Sequence, residues 1–261
     1  MTRLSAGLAA ALALGQLPAT ATAQQPLSIE QLLVAERRWQ LATAIDHRSA
    51  QPAPGIEERR QRLSTALRVG LHPRLELNAR LSRDRGRLRR PGGTRRSGER
   101  ALALGANWLL RREGAMPALL LEARARWRRD DAGEAPGRPG AQLIATAYRS
   151  FDPLVLSLTA SADWPAGYRR GGRRHRPGAA WSVSPQVNFA VNHRVTLIGG
   201  LSLSRRQAPR VDGAALGRGT ERLALRAGVG LTLGAGQTLF LTGEYSTAGA
   251  GGLSLQWLHD L

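Results

Sequence analysis

From Trp181 to Val191, apolar side chains fall on every second residue: Trp181, Val183, Pro185, Val187, Phe189 and Val191. Ser182, Ser184, Gln186, Asn188 and Ala190 stand between them. Asn192-His193-Arg194 turns the chain, and Val195, Leu197, Gly199, Leu201 and Leu203 resume the apolar set against Thr196, Gly200, Ser202 and Ser204. Period two over about ten residues is a strand with one apolar and one polar face. Strands of soluble domains run to about five or six residues, whereas about ten tilted residues cross a bilayer. The hairpin therefore predicts a transmembrane barrel, with apolar side chains toward lipid and small polar ones toward a lumen.

The same alternation starts at Trp39 and continues to the end of the chain. Its apolar sets begin with Trp39, Leu41, Thr43 and Ile45, then Leu63 to Leu71, Leu75 to Leu81, Leu102 to Leu110 and Leu119 to Trp127. Ala141 to Ala147 and Leu154 to Trp164 follow, then the hairpin above, then Leu223 to Leu233, Leu239 to Tyr245 and Leu253 to Leu261. The count is about twelve strands, an even number as single-chain bacterial barrels require. The fold predicted is all-β, an antiparallel transmembrane β-barrel over residues 39–261. Short connections alternate with long ones of roughly nine to fifteen residues, the asymmetry of periplasmic turns and outer loops. All 6 tryptophans fall in the apolar register, where an aromatic belt meets lipid head groups. A soluble sandwich or lipocalin would also alternate, but with its apolar face inward and without strands this long.

The first residues fit an exported protein. Arg3, the apolar stretch from Leu4 to Leu17 and Ala21-Thr22-Ala23 make a secretory signal peptide with an A-x-A cleavage site, residues 1–23. Residues 24–38 form a helical or coiled lead-in. Within it Ser28 and Gln31 resemble a capping box, and Ile29, Leu32 and Leu33 share a helical face. Such a short helix over 26–38 needs something to pack on, so it is either a latch or plug at the periplasmic mouth or a frayed leader. There is no cysteine, hence no disulfide framework, and no run of 18 apolar residues.

The formal charge of +19 rests on 38 basic residues, every one an arginine. Such a balance first suggests nucleic acid, but export argues against it. Phosphate-bearing lipid head groups are the better counter-charge for guanidinium, although exclusive arginine usage also follows from a GC-rich genome.

Charges enter the polar register too. Arg80, Glu122, Arg124, Arg126, Arg226 and Glu244 are candidate lumen residues, with Glu76, Asn78, Arg128 and Arg222 near them. Opposed arginine and glutamate inside a barrel either cross-link the wall or line a constriction that selects solutes by charge. Two predicted outer loops are strongly basic. Residues 84–98 hold Arg89, Arg90, Arg95 and Arg96, and residues 165–178 hold Arg169, Arg170, Arg173 and Arg174. They are either solvated, mobile loops or docking points for lipopolysaccharide phosphates. The 5 histidines lie on turns and strand ends with no triad or metal-ligand spacing, so no catalytic residue, metal or cofactor is expected. Expected partners are outer-membrane lipids and lipopolysaccharide, small solutes and the barrel assembly machinery. The function implied is a porin-like passive channel or transporter, with a closed structural or lipopolysaccharide-binding barrel as the alternative and a lipid-modifying enzyme after that.

Two stretches, LSIEQLLVAERRWQLATAI and VSPQVNFAVNHRVTLIGGLSLSRR, resemble an outer-membrane barrel family named after the meta-pathway of phenol degradation. They cover about 43 of the 261 residues. The resemblance implies a transporter-like barrel and points toward aromatic compounds. The chain departs from the usual barrel ending, since its last residue is Leu261 rather than an aromatic and His259 falls in the lipid register.

Overall fold

The computed structural model describes residues 33–53, 55–131, 138–247 and 249–261. The predicted signal peptide of residues 1–23 and the predicted lead-in up to residue 32 lie outside them. The described chain forms sixteen strands: β1 (Trp39–Ala53), β2 (Ile56–His72), β3 (Leu75–Arg90), β4 (Gly93–Arg111), β5 (Ala118–Asp130), β6 (Arg138–Phe151), β7 (Leu154–Pro165), β8 (Tyr168–Arg170), β9 (Arg173–Arg176), β10 (Ala180–Ala190), β11 (Val195–Arg206), β12 (Arg210–Val211), β13 (Ala214–Ala215), β14 (Thr220–Gly234), β15 (Gln237–Ser246) and β16 (Ala250–Asp260). Twelve close into one barrel, in the order β1-β16-β15-β14-β11-β10-β7-β6-β5-β4-β3-β2. Each barrel strand pairs antiparallel with both neighbours. The seam between first and last strands runs from Gln40↔Asp260 to Ala50↔Ala250. Backbone Leu261 N–H donates to Trp39 C=O at 2.8 Å beside it.

The side chains divide as the alternation predicts. Trp39, Ile45, Leu77, Leu81, Leu104, Leu156, Leu197, Leu225 and Leu255 point outward and are exposed, while Ala42, Ser64, Glu76, Ala103, Asn107 and Thr196 on the alternate register are buried. An outward apolar band on a closed ladder is stable only in lipid, which supplies the apolar contact and leaves no backbone group unpaired. This is a barrel of the bacterial outer membrane. The long connections from β7 to β10 and from β11 to β14 mark the outer side, so both ends of the barrel segment lie toward the periplasm. Trp39, Trp108 and Trp257 lie toward that side, and Trp127, Trp164 and Trp181 toward the outer one, so the tryptophans form two belts.

Above the outer belt the structure departs from expectation. Residues 84–98 are not a loop. β3 runs on to Arg90 and β4 starts at Gly93, so Arg89, Arg90, Arg95 and Arg96 stand on a continuous hairpin ladder. The reason is that period two does not end with the apolar residues; Arg83, Arg85, Arg87 and Arg89 continue it with charge. Pro91 and Gly92 then turn the chain, Gly92 at φ 96° where a side chain would be strained. The connection from β1 to β2 is likewise a tight turn, not a long loop, with Gly55 at φ 73°.

Residues 165–178 are also largely ordered. β8 and β9 hold Arg169, Arg170, Arg173 and Arg174, and they extend a four-stranded sheet, β13-β12-β9-β8, over the rim. Arg174 N–H donates to Asp212 Oδ1 at 2.7 Å, and Tyr168 stacks on His175 at 5.2 Å. The predicted helix over 26–38 is not helical in its described part: Glu36 bridges Gly70 in parallel, and Arg37 has φ 59°. Pairing to the β2 backbone takes the place of local helix hydrogen bonds there.

The register makes a sharp prediction. Leu158, in the middle of the outward set of β7 and 49 % exposed, should cost about 2–4 kcal/mol of barrel stability when replaced by Arg. Ser157→Arg, one residue away and facing the lumen, should cost much less. Urea unfolding in phospholipid vesicles measures both, and equal costs would refute the register.

Candidate functional site: the barrel lumen

The lumen has a charged half and an open half, each laid down by particular strands. The charged half begins at the periplasmic end with Glu76, fully buried on β3. Arg68 Nε and Nη2 donate to its two oxygens at 2.8 Å each, Asn107 Nδ2 donates to Oε1 at 2.7 Å, and Val34 N–H donates to Oε2 at 2.8 Å. Arg68 Nη1 also reaches Gln40 Oε1 at 2.6 Å, and Gln40 Nε2 reaches Asp260 Oδ1 at 2.8 Å. One network therefore ties β16, β1, β2, β3 and β4 together across the closing seam. It also holds the lead-in, since Val34 is buried against the barrel and Arg37 N–H donates to Gly70 C=O at 2.8 Å. Gly70 permits this approach; a Cβ there would sit 2.2 Å from the Ala35 carbonyl oxygen.

Higher in the lumen, Glu122 accepts from Arg124 Nε and from Asn78 Nδ2, the latter at 3.2 Å. Gly105 leaves the space, for a Cβ there would lie 2.8 Å from Arg124 Cγ. Arg126 pairs with Asp163 on β7, crossing over β6 where Gly140 has no side chain. At the outer end Arg138 bridges Glu99 at 2.6 Å and Asp130 at 2.5 Å. Arg80 differs from all of these. It faces buried Ala66 and Ala103 across its two ladders and makes no hydrogen bond or ion pair among the described residues.

The open half belongs to β6 through β16 and β1. Its cavity measures about 560 Å³. Thr146, Ser157, Thr159, Gln186, Asn188, Thr242, Ser254 and Gln256 line it, and Tyr148, Val155, Ile198, Phe240 and Leu258 add an apolar lower wall. Arg68, Arg226, Arg48, Asp46 and Glu244 bring charge to it. Glu244 takes Arg222 at 2.8 Å, Arg226 at 3.3 Å and Arg48 at 3.8 Å, so three guanidinium groups share one carboxylate. Neutral rungs such as Ser161–Ser182 at 2.8 Å and Ser184–Ser202 at 2.9 Å keep this wall low and smooth.

All six lumen candidates, Arg80, Glu122, Arg124, Arg126, Arg226 and Glu244, face inward. Glu122 meets Arg124 and Arg226 meets Glu244, whereas Arg126 finds a partner that alternation alone did not assign, Asp163. The apolar lower wall also escaped sequence reading. Its signal was present, as Tyr148, Val155, Ile198, Phe240 and Leu258 occupy the polar register within a few residues of periplasmic strand ends.

No family model matches the sequence, and no characterised protein matches it by sequence. Solved structures do match in shape. An outer-membrane channel from Pseudomonas putida F1 superposes with a TM-score of 0.69 at 14% identity, covering 87% of this chain and 97% of that one. The β domain of the Bordetella autotransporter BrkA gives 0.59 at 12% identity, covering 86% and 99%. The translocator domain of the autotransporter NalP from Neisseria meningitidis gives 0.55 at 13% identity, covering 85% and 87%. At such identities the likeness is one of fold.

The seam network carries its own expectation. Glu76→Ala leaves Arg68, whose side chain is 18% exposed, without its carboxylate. Truncating one partner of a buried pair costs about 3–5 kcal/mol. Urea unfolding in vesicles should show a loss of that size, and a loss comparable to that of an exposed pair such as Arg205–Glu221 would refute the network's role.

Proposed function

We propose that the protein is a passive outer-membrane channel or transporter for small solutes that favours amphipathic anions, aromatic carboxylates among them. The lumen cavity of about 560 Å³ carries this reading. Its lower wall offers apolar and ring contacts, its middle offers neutral hydrogen-bonding groups, and its charge is dominated by guanidinium. A barrel whose interior served only as structural fill would close this half with side chains, as the ion-paired half is closed. The Pseudomonas putida neighbour of the same fold is itself a channel.

The arginine surplus sets the sign of selectivity. Arg80 makes no ion pair among the described residues, and Arg48, Arg222 and Arg226 share Glu244. Low-dielectric walls focus such a field, so the pore should pass anions in preference to cations. In a planar bilayer under a salt gradient, the reversal potential should report anion preference. Arg80→Glu combined with Arg226→Glu should move it toward cations. Cation preference in the unmodified protein would refute the reading, and absence of conductance would assign the closed structural barrel instead.

The lead-in acts in this scheme as a plug at the periplasmic mouth. Its support is the contact of residues 34–37 with Gly70 and Glu76 at the periplasmic end of the lumen. Gly70→Ala should expel it, because the new Cβ would overlap the Val34 and Ala35 carbonyls. Single-channel recordings should then show a larger or longer-lived open level than the unmodified protein. An unchanged open level with the lead-in displaced would rule the plug out.

A further inference from the structure

We propose that the outer wall of β3, β4 and β5 carries a specific site for a phosphorylated glycolipid, the lipid A part of lipopolysaccharide. The site is distinct from the lumen and from the rim arginines, and it rests only on the outward register and on the outer leaflet lying at that end.

Two adjacent cross-strand rows define it. The lower row is Leu81↔Leu102↔Trp127, the top of the lipid-facing band. One step above it lies Arg83↔Arg100↔Arg129. Three like charges directly opposite one another on one face of a sheet are mutually destabilising unless an anion joins them. Asp131 answers in part. It lies 3.0 Å from Arg100 and 3.5 Å from Arg83, in a space that Gly98 leaves open. Arg129 makes no ion pair among the described residues, and the side chains of Arg83 and Arg100 remain 47% and 68% exposed. The opposite wall shows what a balanced boundary looks like. There the row Arg205↔Glu221, flanked by Trp181, carries its own ion pair at 3.3 Å.

The geometry beneath the arginines fits an acyl chain. Leu63, Leu81, Leu102 and Trp127 line a shallow groove of about 470 Å³ whose upper edge is Arg83, Arg100 and Arg129. Apolar groove below and guanidinium above match a lipid whose phosphate sits on the ring end of its chains. Three arginines against one aspartate leave a formal surplus of two positive charges. That suits a phosphate monoester, which carries about −1.5 to −2 near neutral pH and accepts bidentate guanidinium bonds. A phosphodiester head group such as that of phosphatidylglycerol carries one charge and satisfies the site less well.

The test is native mass spectrometry of the detergent-purified, delipidated barrel with three probes: bisphosphorylated lipid A, lipid A stripped of its phosphates, and phosphatidylglycerol. The barrel should retain one lipid A at least about ten-fold more tightly than either other lipid, the effect expected when one charge-assisted hydrogen bond or more is lost. Arg83→Gln, Arg100→Gln and Arg129→Gln together should abolish that preference while heat-modifiable gel migration stays intact. Arg169→Gln with Arg173→Gln, on the rim sheet, should leave it. Equal retention of the three lipids by the unmodified barrel would overturn the proposal. So would full preference in the triple variant, or loss of preference in the rim variant. Should the triple variant fail to fold, Arg129→Gln alone, with no ion pair to break, must still weaken lipid A retention, and unchanged retention there would overturn the proposal too.

Discussion

The structure depends on closure. In hydrocarbon an unpaired backbone N–H or C=O costs several kcal/mol, so a sheet can cross a bilayer only when its first and last strands meet. Here that junction is β1 against β16, and it receives more than its ladder. Leu261 N–H bonds Trp39 C=O, Gln40 bridges to Asp260, and Arg68 and Glu76 continue the tie inward to β4. The most buried charge of the described chain thus sits near the edge that would otherwise open. Glu76 also receives the lead-in, which couples closure of the wall to the position of the segment at its mouth.

Closure explains why so much was legible in advance. A closed barrel must place every second residue in lipid, so its period-two signal persists through all twelve membrane strands, where a soluble sheet would break it at edges. The even count, the inward direction of Arg80, Arg124 and Arg226 and the outward direction of the tryptophans all follow from that one constraint. Alternation is silent about two things. It cannot say where a strand stops once its outward residues turn polar, because ladder hydrogen bonds are indifferent to side chains. Asp84 to Arg90 therefore read as loop and fold as strand. Nor can it say which inward residues meet across a strand, as Arg126 and Asp163 do over Gly140. That pairing depends on barrel curvature and on where glycine removes an obstacle.

The interior reconciles two uses of one polar register. Around β2 to β5, long charged side chains reach one another and fill space. Burying such pairs adds little net stability, because desolvation offsets much of their attraction, but an arginine left without its partner is costly. On β7, β10, β11 and β16 many inward residues are short: Ser157, Thr159, Ser184 and Ser254 cannot span the lumen, so a cavity remains. The boundary between the halves falls where Arg68, Arg48 and Arg226 face that cavity. A solute there would meet guanidinium groups already held in place by Glu76 and Glu244, which limits the entropy lost on contact.

Arginine therefore has three settings in one chain, and burial separates them. Within the lumen it is largely paired, since low dielectric makes solitary charge expensive. On the rim it continues the strand alternation in water, where screening makes neighbours tolerable. At the outer belt neither condition holds. Arg83, Arg100 and Arg129 stand opposite one another at the edge of the apolar band, with a single carboxylate between two of them. The proposed lipid site would relieve that repulsion by supplying the missing charge from the membrane side. The lipid-facing wall is not uniform around its circumference: the Trp181 side balances itself through Arg205 and Glu221, and the Trp127 side sets three arginines against one aspartate.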